Sequence, residues 1–136
     1  MRRFIACMSL VAAAACGGDS PTQPTSASVA GTWNLQTVNG SGLPYIVGQV
    51  GSDKLELVSD VLTVGESGTF TQLTEFRVTE SGQVSTESVP DAGSYALNGT
   101  AVTFTFDSDG STGTGSLSGN TLTIAAGGFA LIYKKQ

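Results

Sequence analysis

From residue 29 to the C-terminus every apolar run is short, alternates with polar residues and stops at a turn. Side chains alternate across a strand with a period of two, so such a chain can build strands with one buried face and little else. In residues 29–38, Trp33 and Leu35 fall on one face and Asn34 and Gln36 on the other, and Asn39-Gly40 supplies a turn. Residues 43–47 form a short apolar run, and 48–53 read as a loop. Residues 54–64 form a long strand whose parity slips: Leu55 and Leu57 are odd, Leu62 and Val64 even. A bulge near Ser59-Asp60 reconciles the two halves. After a turn at 65–68, Phe70, Phe76 and Val78 share a phase in residues 69–79. Residues 83–89 are polar and suit an edge or solvated strand, which Pro90-Asp91-Ala92-Gly93 is expected to break.

A repeat follows. Residues 93–104 and 115–124 each read as strand, Asn/Gly turn, then an apolar-Thr-apolar strand, the pattern of a β-hairpin. Val102, Phe104 and Phe106 share a face, as do Leu122 and Ile124. After Gly127-Gly128 a last strand carries Phe129, Leu131 and Tyr133 in phase. Short connections force antiparallel neighbours. A sheet this long curls and closes, which removes its edges. The expected fold is all-β, an antiparallel up-and-down barrel of about eight to ten short strands, with a two-sheet sandwich as the alternative.

The N-terminus has a different character. Met1-Arg2-Arg3 is cationic, residues 4–15 are uncharged and mostly apolar, and Ala13-Ala14-Ala15 precedes Cys16. That order describes a secretory signal. A helix of that length spans roughly 18 Å, short of the ~30 Å hydrocarbon core, so no membrane span is expected. Residues 1–15 are therefore read as a signal peptide, 16–28 (Gly-, Ser-, Thr- and Pro-rich) as a tether, and 29–136 as one domain. Beyond Cys16 the chain keeps four bases, Lys54, Arg77, Lys134 and Lys135, against eleven acids, a formal charge of −7. An acidic face repels phosphate backbones, so no nucleic-acid partner is expected. That part of the chain has no histidine and no cysteine but Cys16, which excludes disulfides, the usual zinc sites, and Ser-His-Asp or Cys-His chemistry.

Two resemblances extend this reading. Ala13-Ala14-Ala15-Cys16 resembles a bacterial lipobox, although Ala13 stands where leucine is usual. The resemblance implies a diacylglycerol thioether on Cys16, removal of the preceding peptide and acylation of the new amino group, palmitate being a typical chain. It also implies anchoring in the cell envelope. Gly17, in place of an aspartate, implies the outer membrane, facing the periplasm. The alternative is an ordinary secreted protein cut near Ala15. Gly31-Thr32-Trp33 resembles the G-x-W motif on the first strand of lipocalins. With the Val38-Asn39-Gly40 turn and the Ser-Gly-Asn-Thr-Leu-Thr hairpin at 118–123, the chain is similar to small bacterial lipocalin-like lipoproteins. The resemblance implies that Gly31 and Trp33 close the barrel against a basic residue near the last strand, Lys134 or its neighbour Lys135. Lipocalins mostly use arginine there, and their other motifs and C-terminal helix are missing.

The function expected is binding of a small hydrophobic ligand or lipid by an anchored, non-enzymatic barrel. Trp33, Phe70, Phe76, Tyr95, Phe104, Phe106, Phe129 and Tyr133 either line a pocket or fill a closed core; small eight-stranded barrels do both. With a filled core the barrel would be a structural or protein-interaction module whose partner the sequence does not name. Arg77, opposite in phase to Phe76 and Val78, is expected to face solvent with Glu75. Glu56, Asp60, Glu66, Glu75 and Glu80 form no motif for acid–base work. Asp107-Ser108-Asp109-Gly110-Ser111 suggests a calcium loop, but Ser118 stands where the twelfth-position glutamate is needed, so neither metal nor cofactor is expected.

Overall fold

Two-residue turns set the path of the chain. Val38 pairs with Ser41 across Asn39-Gly40, whose φ angles are 50° and 81°. Two positive φ values give a hairpin turn whose twist matches that of the strands it joins. The computed structural model describes residues 28–136. The expected signal peptide, Cys16 and all of the expected tether except Ser28 lie outside the described residues.

Ten antiparallel strands follow: β1 (Gly31–Val38), β2 (Ser41–Gly42), β3 (Tyr45–Val50), β4 (Asp53–Val64), β5 (Thr69–Glu80), β6 (Gln83–Asn98), β7 (Ala101–Phe106), β8 (Thr112–Ser118), β9 (Thr121–Ala126) and β10 (Phe129–Lys135). Each of β4 to β9 pairs with the next, β10 pairs with β1, and β1 pairs with β4. That last pairing closes an eight-stranded barrel and decides against a sandwich.

The closing seam is zipped at one end only. β1 pairs with Val61–Val64 of β4 through Gly31–Asn34, and no further. Beyond that point β2 pairs with β1, and β3 pairs with β4 over Asp53–Leu57. The barrel is shut where β1 begins and parted where β1 ends. Residues 48–50, expected as loop, continue β3.

The predicted bulge in β4 exists: the register with β5 shifts between Leu57 and Ser59. It turns Leu57, Asp60, Leu62 and Val64 to one face, opposite Phe76, Thr74, Gln72 and Phe70. The expected break at Pro90 does not occur, and β6 runs through it for 16 residues. Before Gly93, β6 pairs with β5 alone, so the N–H that Pro90 lacks would have faced an unpaired edge.

Large side chains fill the interior between β5, β7 and the closed end. Phe70 meets Phe104 and Phe106 edge-on, with ring centroids 5.2 Å apart in each case. Room comes from small residues opposite. A Cβ on Gly93 would overlap the Thr105 carbonyl oxygen and lie 2.8 Å from the Phe70 ring. Gly113 and Gly115 on β8 similarly accommodate Ile124.

Candidate functional site

The closed end is built by the Gly31-Thr32-Trp33 motif. Trp33 is fully buried, and its Nε1 donates to the Val29 carbonyl at 2.7 Å. The cation over its ring is Lys135, with Nζ 5.2 Å from the centroid and donating to the Ser28 carbonyl at 2.7 Å. The assignment of this role to Lys134 is corrected. Trp33 pairs with Lys135, so Lys135 shares the inward phase, and Lys134 points outward to the Thr121 hydroxyl. Gly31 explains the motif's first position. Its φ is 134°, and a Cβ there would lie 2.6 Å from Lys135 Cε.

The aromatic candidates divide into two groups. Trp33, Phe70 and Phe104 are buried in the packed half, Phe106 meets Phe70 edge-on, and the Tyr95 hydroxyl donates to the Gly65 carbonyl at 2.6 Å. Phe76 and Phe129 instead reach a cavity of about 220 Å³ at the open end. Val38, Leu57 and Leu131 complete its inner wall, and Tyr45 and Val47 of β3 form its lip. Tyr45 packs edge-on against Phe129 at 6.3 Å. The space exceeds the ~150 Å³ of an apolar cavity that holds benzene.

Two polar residues interrupt this apolar lining, Asp60 and Thr74. Asp60 is 5% exposed. Its Oδ2 accepts from Gln72 Nε2 at 2.6 Å and Thr74 Oγ1 at 2.9 Å, while its Oδ1 has no hydrogen-bond partner. Burial pushes the carboxyl up to about 6, against the hydrogen bonds of Thr74 and Gln72 and the nearby Tyr133 hydroxyl, which favour the charged form. The Tyr133 hydroxyl is pushed above its usual 10 by burial and by the Asp60 charge beside it.

Asp60 was not among the residues expected to form the site, although its signal was present. Once the bulge is placed, Asp60 is in phase with Leu62 and Val64, and Gln72 and Thr74 are in phase with Phe70 and Phe76. Three polar residues at inward positions of adjacent strands mark a buried polar site.

The other charged groups are engaged elsewhere. Arg77 faces outward as expected, but it is paired. Glu56 accepts from Arg77 Nε at 2.8 Å and Lys54 Nζ at 3.1 Å. The hydrogen bond from Arg77, then that from Lys54, lowers the Glu56 carboxyl to about 2. In the β7–β8 connection, Asp109 Oδ1 accepts from the Ser111 N–H at 2.8 Å, as in a turn. A larger, open concavity of about 780 Å³ lies on the barrel wall beside Val61, Leu73 and Pro90. Its one charged group, Asp91, already accepts from Ala92 N and Ser108 Oγ. The more recessed space at the barrel mouth is the better site.

Comparison with known families matches residues 29–124 to the lipocalin-like domain. Comparison with curated proteins finds no match.

Proposed function

The chain belongs to the lipocalin-like domain family, and on that premise we propose that it binds a small hydrophobic molecule at its open end while a lipid on Cys16 holds it in the cell envelope. Small hydrophobic ligand binding is what the fold suggests in general. The observation that carries it to this chain is the unfilled, apolar cavity between Val38, Leu57, Phe76, Phe129 and Leu131. Pockets of this make-up, apolar with a few placed polar groups, are the usual form of ligand sites. We read the chain as a binding protein and not an enzyme, because the cavity wall offers a single carboxylate and neither a second carboxylate nor a histidine.

The anchor and the cavity fit one arrangement. Ser28 sits at the closed end, where its carbonyl accepts from Lys135. A tether from Cys16 to Ser28 therefore enters opposite the mouth. A lipidated protein would stand with its cavity away from the membrane surface, open to solutes of the periplasm.

Native mass spectrometry of protein purified from cells tests the binding reading: a retained small molecule is expected, lost when Phe129→Trp fills the mouth. Protein that is ligand-free and takes up no apolar probe overturns it. Cys16→Ala should release the protein from the membrane fraction; continued membrane association overturns the anchor. A second reading is favoured by β6, whose residues 83–90 are all exposed with one unpaired edge. There the barrel is a scaffold for a protein partner, and in-cell crosslinking from that edge should capture one specific protein.

A further inference from the structure

Asp60 is a buried anion with no cation of its own. The described residues contain four bases, and each is committed elsewhere. Lys54 and Arg77 hold Glu56 on the outer face, Lys134 reaches Thr121, and Lys135 caps Trp33 at the closed end. The groups that do face Asp60 are neutral: Gln72 and Thr74, which both bind the same oxygen, and the Tyr133 hydroxyl beside the carboxyl. Oδ1 is left without a partner, and Asp60 is part of the cavity wall.

Resting on the reading of that cavity as a ligand site, we propose that its ligand is a small amphiphile with an apolar body and a protonated amine, the ammonium group docking on Asp60. A neutral hydroxyl could satisfy the free lone pair but would leave the charge uncompensated. An ammonium supplies both a donor and the opposite charge, and it has three N–H groups to offer. Charge-assisted hydrogen bonds are about twice as strong as neutral ones. In a water-poor site the attraction between opposite charges is larger than at the surface. The apolar wall of Leu57, Phe76, Phe129 and Leu131 then takes the hydrocarbon. On β6, Glu87 pairs with Phe76 and Asp91 with Gln72; both are acidic, and neither is part of the cavity wall. Tyr133 on β10 and Tyr45 on β3 are the other titratable groups near the cavity, and neither is cationic at neutral pH.

The test compares n-alkylamines with n-alkanols of equal chain length, four to ten carbons, by isothermal titration of the full-length protein at pH 8 and pH 4.5. At pH 8 the amines should bind about tenfold to a hundredfold more tightly than the alcohols, the range expected for one hydrogen bond to a charged group. That preference should collapse at pH 4.5, where Asp60 is protonated. Asp60→Asn should abolish it at pH 8, with the near-ultraviolet circular dichroism spectrum reporting retained packing. If that variant does not fold, the pH 4.5 arm decides. Equal binding of amines and alcohols at pH 8 overturns the head-group assignment and leaves the cavity reading intact. Binding of neither series at any length overturns both. Amine binding unaffected by Phe129→Trp places the amine elsewhere and also overturns the proposal.

Discussion

Asp60 should make the protein less stable as pH rises through the mildly acid range, opposite to the usual behaviour of a paired carboxylate. Its carboxyl titrates near 6 in the folded state against 3.8 in the unfolded chain, so between these values the folded state holds the extra proton. Stability then falls as pH rises, because the unfolded state releases its proton first. The full span corresponds to about 3 kcal/mol, at 1.36 kcal/mol for each pH unit. Glu56 acts in the opposite sense at lower pH: its folded value near 2 adds stability that is complete above about 4.5 and lost as pH falls toward 2. Asp109, also lowered, acts below 3.8. The window from pH 4.5 to 7 therefore isolates Asp60, and there the wild-type protein should lose about 2 kcal/mol. For a barrel of this size that is on the order of 10 °C in midpoint. Urea unfolding followed by tryptophan fluorescence reads it directly, since Trp33 is the only tryptophan and is fully buried. Asp60→Asn should remove the slope. Its absolute effect at pH 7 is less clean: the amide oxygen can still accept from Gln72 and Thr74, but the amide nitrogen becomes an unpartnered donor worth about 1–3 kcal/mol. A wild-type protein with flat stability from pH 4.5 to 7, or an Asp60→Asn variant that keeps the slope, refutes the reasoning.

Three further outcomes follow from the packing. Lys135→Ala should cost about 1–2 kcal/mol by losing the contact with Trp33, while Lys134→Ala should stay within about 0.5 kcal/mol; denaturant titration of both variants checks the assignment of the closing cation. Phe104→Ala should cost about 3–5 kcal/mol and leave affinity for an apolar probe unchanged, because Phe104 belongs to the packed half and not to the cavity. Gly93→Ala should destabilise by about 3 kcal/mol, since the new methyl overlaps the Thr105 carbonyl oxygen and the Phe70 ring; a neutral thermal shift would show that the two strands are less tightly apposed.

Where one face is buried, the sequence was readable. Trp33 and Leu35, Phe70 and Phe76, Val102 and Phe104, and Leu122 and Ile124 alternate cleanly, and their strands and hairpins are as expected. The β4 bulge was legible because a parity change inside one strand requires an extra residue to keep both apolar halves on the same face. Three features were not legible, each for a physical reason. Pro90 reads as a strand breaker, but its effect depends on whether the partner edge is occupied, which is a tertiary fact. The choice between Lys134 and Lys135 needs the register of β10 against β1, since adjacent residues point to opposite faces. The division of aromatics between packing and cavity needs the split seam: β3 pairs with β4 where β1 does not, and only that opens a space beside Phe76 and Phe129.

The same alternation rule bears on why the barrel tolerates Asp60 at all. Gln72, Thr74 and Asp60 occupy inward positions that Leu, Val or Phe fill elsewhere on the same strands. A well-packed apolar set in place of a buried polar one is often neutral or stabilising. Gln72 and Thr74 satisfy one carboxylate oxygen and leave the other bare, so the cluster does not even complete itself. Half-satisfied polar networks are worse for stability than an apolar core, and natural proteins break local packing rules mainly where function demands it. The position of the cluster answers the question: it lies where the filled interior ends and the cavity begins. Asp60 and Thr74 of this trio belong to the wall of that apolar space, which is why the proposed ligand is tested against Asp60 first.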